Sequence, residues 1–563
     1  MRILAGALAD CVHIAGVHHF LALAQAMGHE TRFTGPATDA ETWADLAREF
    51  RPDVIGVSYR LTPENARRAL VDFWAVMQAA GMGDRTFIFG GTPPVAAVAR
   101  EMGIFQAIFD GSEQTSAVIR YLRGEGKTAG RIEPPPQTVV ERIRWKAPYP
   151  LLRHHFGIPA RTTDPTLEGI ARIAESEALD VISLGPDQDA QENLFRPDLQ
   201  SPGRAGAGGV PVRSVEHLER LYAAAQRGNY PLMRSYSGTS DLLRYAELLT
   251  RTIHNAWCAT SLFWFNAMDG RGPQGLEASI RDHQALMAWH GERDIPVEGN
   301  EPYHWGMRDA PDVISVAASY LYAHNAQVFG VTDYITPYMF ESPPMLSNRM
   351  DLAKALAQIR VAEAVFLRRL SFEDPAFTDD GPPAVAAGPR RIWRQTRTGL
   401  LSYPVDTARA RAHLAESIYM QMALAPHIVH VVGYCEADHA ATAEEVIESA
   451  AMAQQVIDTA IAGQPDLTRD RLVRERAEEL VSEALILVAA IHRLGEGESD
   501  DPLAHPPTLA RAVAVGLLDS PQLQGSPFAP GAIRSRAIDG AVVAVDDAGH
   551  PLSESERISV LRV

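Results

Sequence analysis

At 563 residues, and at roughly 150 residues per domain, the chain holds two to four domains. Its 46% apolar and 22% charged residues are those of an ordinary globular protein, and 52 basic against 70 acidic side chains leave a formal charge of −18, which argues against a general nucleic-acid binder. No run of 18 apolar residues predicts a membrane span, and three scattered cysteines, Cys11, Cys258 and Cys435, supply neither a disulfide framework nor a zinc knuckle.

The segment Met1–Ala5 runs directly into a strand pattern without a cleavable signal, so a cytoplasmic enzyme is expected. Through residue 126 the pattern alternates. Strands are predicted at Ile3–Leu8, Thr31–Thr34, Val54–Ser58, Thr86–Phe89 and Ile108–Phe109, with helical stretches between them. This is the signature of a doubly wound, five-stranded parallel α/β sheet of the Rossmann or flavodoxin type, whose ligand lies beyond the C-terminal strand ends. Residues 127–150, with Gly130 and Pro134-Pro135-Pro136, read as an extended linker. Residues 151–500 resume the alternation at a length that suits a (β/α)8 TIM barrel. Candidate strands there are Val181–Leu184, Leu232–Tyr236, Ser261–Phe265, Gln327–Thr332 and His427–Val432. The tail, 501–563, is expected to pack on the barrel, with a hairpin-like piece at Ala541–Val545 and a turn at Asp546–Gly549.

The loop after the first strand reads Asp10-Cys11-Val12-His13-Ile14-Ala15-Gly16. A histidine at that strand end is either a ligand in the crevice or a solvated loop residue. Strand three ends with Ser58 and Thr62 four residues apart, and strand four ends in Gly90-Gly91, where missing side chains leave backbone for a large ligand to lie against. These elements together resemble the cobalamin-binding domains of methionine synthase and of the glutamate mutase and methylmalonyl-CoA mutase families, over residues 2 to 123. The resemblance implies that His13 is the lower axial ligand of the cobalt and that Gly16 closes its loop. It further implies that Ser58 and Thr62 contact the buried nucleotide base, while Gly90 and Gly91 line the slot for the cofactor tail. The family places an aspartate two residues before the histidine, where it would raise ligand basicity. Cys11 stands there in this sequence, and Asp10, one residue earlier, is expected to reach His13 instead.

The barrel region carries polar and aromatic clusters after its strands, among them Arg161, Pro231–Thr239, Phe263-Trp264 and Glu301-Pro302-Tyr303-His304-Trp305. Their order resembles the catalytic component of glutamate mutase, an adenosylcobalamin-dependent carbon-skeleton isomerase. The resemblance implies that Arg161 grips a substrate carboxylate and that Glu301 receives an amino group. It departs at Gln284–Met287, which lacks the family's second arginine, and near Arg234, where a third aligns at Ser235 or Tyr236. With the paired guanidiniums incomplete, a small carboxylate or amino acid other than glutamate is expected. The aromatic set Phe263, Trp264, Tyr303 and Trp305 points to a more apolar molecule.

The reading is thus an adenosylcobalamin-dependent isomerase or aminomutase with a small-molecule substrate, expected to be a homodimer and to use a reactivating chaperone. The alternatives are a methylcobalamin-using corrinoid methyltransferase or methyl carrier, which usually has a helical cap before the cofactor domain, and a cobalamin-dependent sensor.

Overall fold

Short, fully buried apolar runs bounded by glycine or capping residues set the pattern of both halves of the chain. The computed structural model describes all residues except 114, 125–133, 201–207, 237, 368–389, 400–401 and 562–563, and it divides into two units, Met1–Glu133 and Pro134–Val563.

In the first unit the elements run β1 (Arg2–Ala7), α1 (Ala15–Ala26), β2 (Glu30–Phe33), α2 (Ala40–Phe50), β3 (Val54–Tyr59), α3 (Pro63–Ala79), β4 (Thr86–Gly91), α4 (Pro93–Met102), β5 (Phe105–Phe109) and α5 (Thr115–Leu122). The strands form one parallel sheet in the order β2-β1-β3-β4-β5. Every residue of β3 is buried, as expected for a central strand covered by helices on both faces. On one face Trp43 of α2 packs edge-on against Phe73 of α3, and Phe73 against Phe87 of β4. Pro63 opens α3 behind Thr62, whose hydroxyl accepts the Asn65 N–H and caps the helix.

The second unit begins with α6 (Val139–Lys146) and continues β6 (Leu151–Phe156), α7 (Asp164–Glu175), β7 (Val181–Leu184), α8 (Gln188–Asn193), α9 (Val215–Ala225), β8 (Leu232–Ser235), α10 (Leu242–Ile253) and β9 (Cys258–Thr260). There follow α11 (Leu276–Gly291), β10 (Val297–Gly299), α12 (Glu301–Gly306), α13 (Asp312–Val328), β11 (Asp333–Met339), α14 (Asn348–Phe366), β12 (Arg391–Arg397), α15 (Thr407–Met422) and β13 (Ile428–His430). The chain ends with α16 (Ala443–Gly463), α17 (Arg471–Leu494), α18 (Pro506–Ala514), β14 (Ser535–Ile538), β15 (Ala541–Ala544) and α19 (Glu554–Val560).

Strands β6 to β13 form a parallel sheet of eight in which each strand lies beside its successor and β13 returns to β6. A single bridge, Tyr236 to Ala259, joins the remaining edges of β8 and β9, so the sheet closes into the expected (β/α)8 barrel. The interior at the N-terminal end is apolar: Leu151, Val181, Leu232, Ile335, Trp393 and Ile428 meet there.

Four sequence expectations need correction. Part of the linker is a helix: α6 seals the N-terminal end of the barrel with Val139 and Ile143, while the buried Arg142 donates to the Pro136 and Tyr230 carbonyls. Residues 127–133 of the expected linker lie outside the described residues, as does Ser237. The strand expected at Ser261–Phe265 stops at Thr260, because the N–H groups of Leu262 and Phe263 turn to the Glu301 carboxylate instead of a neighbouring strand. The apolar run at Gln327–Thr332 instead completes α13, which ends before Gly330 in the left-handed region (φ 79°), and β11 begins only at Asp333. In the tail, the turn of the hairpin is Asp539-Gly540, both at positive φ, and Asp546–Gly549 forms the next turn. Among the described residues no helix is long and apolar enough to cross a membrane.

Candidate functional site

In the first sheet the strand order reverses between β1 and β3, which places the ligand crevice at the C-terminal ends of those two strands. A continuous cross-strand row marks the place: Ala7 faces Ser58, Ser58 faces Gly90, and Gly90 faces Phe109. His13 is exposed in the loop leaving β1, with its Nδ1 3.9 Å from the sulfur of the buried Cys11. Ser58 is buried at its strand end, and Thr62 is engaged in capping α3.

Two expectations for this loop change. The Asp10 carboxylate accepts the Tyr59 hydroxyl at 2.8 Å, so its pairing in the structure is with β3 and not with His13. Burial first, and then Asp10, push the Tyr59 phenol up to about 12. The group beside His13 is the Cys11 thiol. The two glycines also differ. A Cβ on Gly90 would stand in open space, as would one on Gly16, whereas a Cβ on Gly91 would come within 2.7 Å of both the Phe89 ring and the Tyr59 carbonyl oxygen. Gly91 is therefore required by the protein's own packing, and Gly90 and Gly16 are the positions where missing side chains leave room for a cofactor.

In the barrel, every second strand residue points inward. Above the apolar layer lie Arg153, Arg234, Glu298, Gln395 and His430, each at most 2% exposed. Arg153 donates to Ser183 at 2.7 Å, to Glu298 at 2.7 Å and to Gln395 at 2.6 Å. Glu298 also receives the Trp257 indole N–H and, at 3.4 Å, Arg234. Arg397 follows from the end of β12, its guanidinium 5.4 Å from the Tyr303 ring centre, and Arg234 lies 4.9 Å from that of Tyr236. Two guanidiniums thus meet at one carboxylate, and a third, Arg397, lies close enough to Arg153 to repel its charge. Nε and Nη1 of Arg234 and Nε of Arg397 are buried without a hydrogen-bond partner among the described residues. Burial and the neighbouring Arg234 lower Arg153 to about 10, which still leaves it protonated at neutral pH.

The tyrosines respond in opposite directions. Burial alone would raise the Tyr236 phenol, but Arg397, Arg234 and Arg153 outweigh it and hold it below its ordinary value. Burial dominates at Tyr303, which stays well above. Environments that push two similar groups apart are the arrangement used for acid and base roles.

The residues expected from sequence are placed differently. Arg161 is exposed on the loop between β6 and α7. Glu301 is fully buried at the start of α12, where it accepts Ser261 Oγ at 2.8 Å, the N–H groups of Leu262 at 2.7 Å and Phe263 at 3.1 Å, and the Trp305 indole at 2.8 Å. Its oxygens are thus committed to holding the loop after β9, and burial pushes the carboxyl up to about 7 although the four donors oppose this. Phe263 and Trp264 each pack against Trp305 in the core, and Tyr303 is the member of that set that faces Arg397. Gln284 lies on α11 outside the barrel, bonded to Asn325 and to the Ala504 carbonyl, so an arginine is not missing from the interior there. Sequence reasoning overlooked Arg153, Glu298 and Arg397 because β6, β10 and β12 were not assigned. The available signal was polar residues two apart within apolar surroundings, Arg153 and His155 in Leu-Leu-Arg-His-His-Phe and Gln395 and Arg397 in Arg-Ile-Trp-Arg-Gln-Thr-Arg.

Residues 1–120 match the family model of the B12 binding domain. The first unit is a cobalamin-binding domain, and the row of small residues beside an exposed histidine fits that cofactor. No curated protein matches the chain. Among solved structures, one similar chain is a novel cobalamin-binding protein from Desulfitobacterium hafniense DCB-2, at 23% identity over 19% of this chain and 51% of that one, with a TM-score of 0.18. Another is the apo, SeMet-labelled cobalamin-dependent S-adenosylmethionine radical enzyme OxsB, at 11% identity over 74% of this chain and 51% of that one, with a TM-score of 0.17. The chain matches about half the length of each.

Two outcomes are expected. Gly90→Val should weaken cobalamin binding at least tenfold at an unchanged melting temperature, whereas Gly91→Val should destabilise the unit by about 1–3 kcal/mol through overpacking; titration with hydroxocobalamin and thermal unfolding separate the two. Glu301→Ala should lower barrel stability by about 3 kcal/mol, since it strands buried donors. Because the folded value of Glu301 lies above the ordinary 4.5, its contribution to stability is present below that pH and is lost as pH rises toward about 7. Loss of turnover by Glu301→Ala at an unchanged melting temperature would place Glu301 on the substrate instead.

Proposed function

We propose that the protein is a cobalamin-dependent enzyme whose barrel binds a small carboxylate or amino-acid substrate, and that with adenosylcobalamin it catalyses a radical isomerisation. The observation that carries the reading is the set of unpaired, buried guanidinium N–H groups on Arg234 and Arg397. Buried N–H donors without an acceptor cost free energy, and a planar carboxylate is the partner a guanidinium fork matches best. The cobalamin-binding domain is the second support. The methyltransferase alternative shares that domain but leaves the arginine set unexplained.

Bound adenosylcobalamin supplies a carbon radical by homolysis of its cobalt–carbon bond, and the protein's own contribution is to hold and shield what reacts. His13 would ligate the cobalt from the exposed loop after β1, with Ser58, Gly90 and Gly16 beside the rest of the cofactor. In the barrel, Arg234 and Arg397 would fix the substrate carboxylate, while Arg153, saturated by Ser183, Glu298 and Gln395, holds Glu298 in place. Tyr303 stays protonated and can donate a hydrogen bond to the substrate; Tyr236, the more acidic phenol, can accept one. The arginine set lies inside the barrel and not at Gln284–Met287, so the sequence-based reason for excluding a dicarboxylate falls away. Arg161, on its exposed loop, would meet a carboxylate on its way in.

The cofactor ligand is tested by spectroscopy: cobalamin bound to His13→Ala should lack the axial-histidine absorption of the wild type, and an unchanged spectrum removes His13 from the role. For the barrel, mono- and dicarboxylates are assayed anaerobically with adenosylcobalamin, with electron paramagnetic resonance as the readout for an organic radical. Arg234→Gln should raise KM at least tenfold and leave cobalamin affinity unchanged; equal KM values would overturn the site. A phenolate at Tyr236 would act as an internal counter-ion, so KM should rise with pH as that group ionises, and Tyr236→Phe should flatten the profile.

A further inference from the structure

Beside the arginine set, β6 and the loop after β13 bring together His154, His155 and Glu436. A ring nitrogen of each histidine and a carboxylate oxygen of Glu436 all lie within 4.8 Å of one another, and His155 Nε2 is 3.0 Å from Glu436. His154 is fully buried, and its Nδ1 faces the His155 backbone carbonyl. A carbonyl only accepts, so the proton sits on Nδ1 and Nε2 carries a bare lone pair. That Nε2 has no partner among the described residues. The space before it exists because residue 433 is glycine: a Cβ there would stand 2.9 Å from Nε2 and 3.2 Å from the Ser449 hydroxyl. A histidine that donates one ring N–H to a carbonyl and leaves the other nitrogen bare is prepared as a metal ligand.

We infer that His154, His155 and Glu436 form a site for a divalent first-row cation, zinc or iron(II), with a coordination position left open. Two histidines and one carboxylate are a donor set both ions accept. Ligand atoms about 2.0–2.2 Å from zinc stand at most about 4.4 Å apart, so a small closure of one side chain completes the geometry. Glu436 supplies the one anionic donor beside the two imidazoles. With side-chain exposures of 24% for His155 and 11% for Glu436, solvent can reach the site. The other cluster of metal-binding type, Cys435, His439 and Glu445, is less suited, because both ring nitrogens of its histidine are already bonded, to Asp438 and to Glu445.

The full chain, purified without cobalamin and stripped with a chelator, is loaded with zinc, dialysed and measured by inductively coupled plasma mass spectrometry. One zinc per chain is expected. Glu436→Gln and His154→Gln should each bind at least tenfold more weakly, and His439→Ala should bind like the wild type. If His154→Gln fails to fold, Glu436→Gln, at a partly exposed side chain, decides. No retained zinc in the wild type, unchanged retention in Glu436→Gln, or loss in His439→Ala would overturn the site. A wild type that retains no zinc would also leave a water between His154 and Ser449 as the explanation of the bare nitrogen. None of these outcomes depends on turnover or on the arginine set, so the proposed activity stands or falls separately.

Discussion

Arg153 and Arg234 converge on one buried carboxylate, Glu298, with Arg397 close by, and the proposed chemistry of the second unit rests on the guanidinium N–H groups this leaves over. Glu298 is the acceptor at which Arg153, Arg234 and Trp257 converge. It is held ionised by Arg153 and Arg234 against the cost of burial. Glu298 does not satisfy every donor around it: Nε and Nη1 of Arg234 and Nε of Arg397 have no partner among the described residues. The same guanidiniums pull the Tyr236 phenol down and keep His430 neutral, since burial first and then Arg153 and Arg397 disfavour its charged form. An interior built in this way is stable only because the apolar layer beneath it, sealed by α6, carries the packing.

The first unit solves a different problem. It is a domain for a large cofactor, and small residues stand at the strand ends where the sheet order reverses. Gly90 and Gly16 face open space, whereas Gly91 is consumed by contact with Phe89 and Tyr59. The pairing of Asp10 with Tyr59 ties the His13 loop to β3 and leaves a thiol, a weak hydrogen-bonding group, beside the histidine.

Much of this was legible before folding. The βαβ periodicity of residues 1–123, the strand-end glycines and the exposed histidine follow from local pattern, and the length of the second region was enough for a barrel. Glu301 and Arg161 were identified by their order in the chain, which reports neighbours in sequence. Glu301 proved to be surrounded by donors from the loop after β9, and Gln284 lay on an outer helix. Neither residue lies on a strand: Glu301 opens α12 and Gln284 sits within α11, so what surrounds them depends on how loops and outer helices pack on the barrel, which order in the chain does not report.

The sequence by itself determined the two-unit α/β plan, because apolar period is a local property, and the class of cofactor followed from its resemblance to cobalamin-binding domains. Only the tertiary structure decided which side chains share the barrel interior. Arg153, Arg234, Glu298 and Arg397 come from four strands separated by tens of residues, and closure of the ring, completed by the bridge from Tyr236 to Ala259, is what makes them neighbours. Their charges act through a medium that excludes water, where the interaction of ions is strong and its balance cannot be summed from composition.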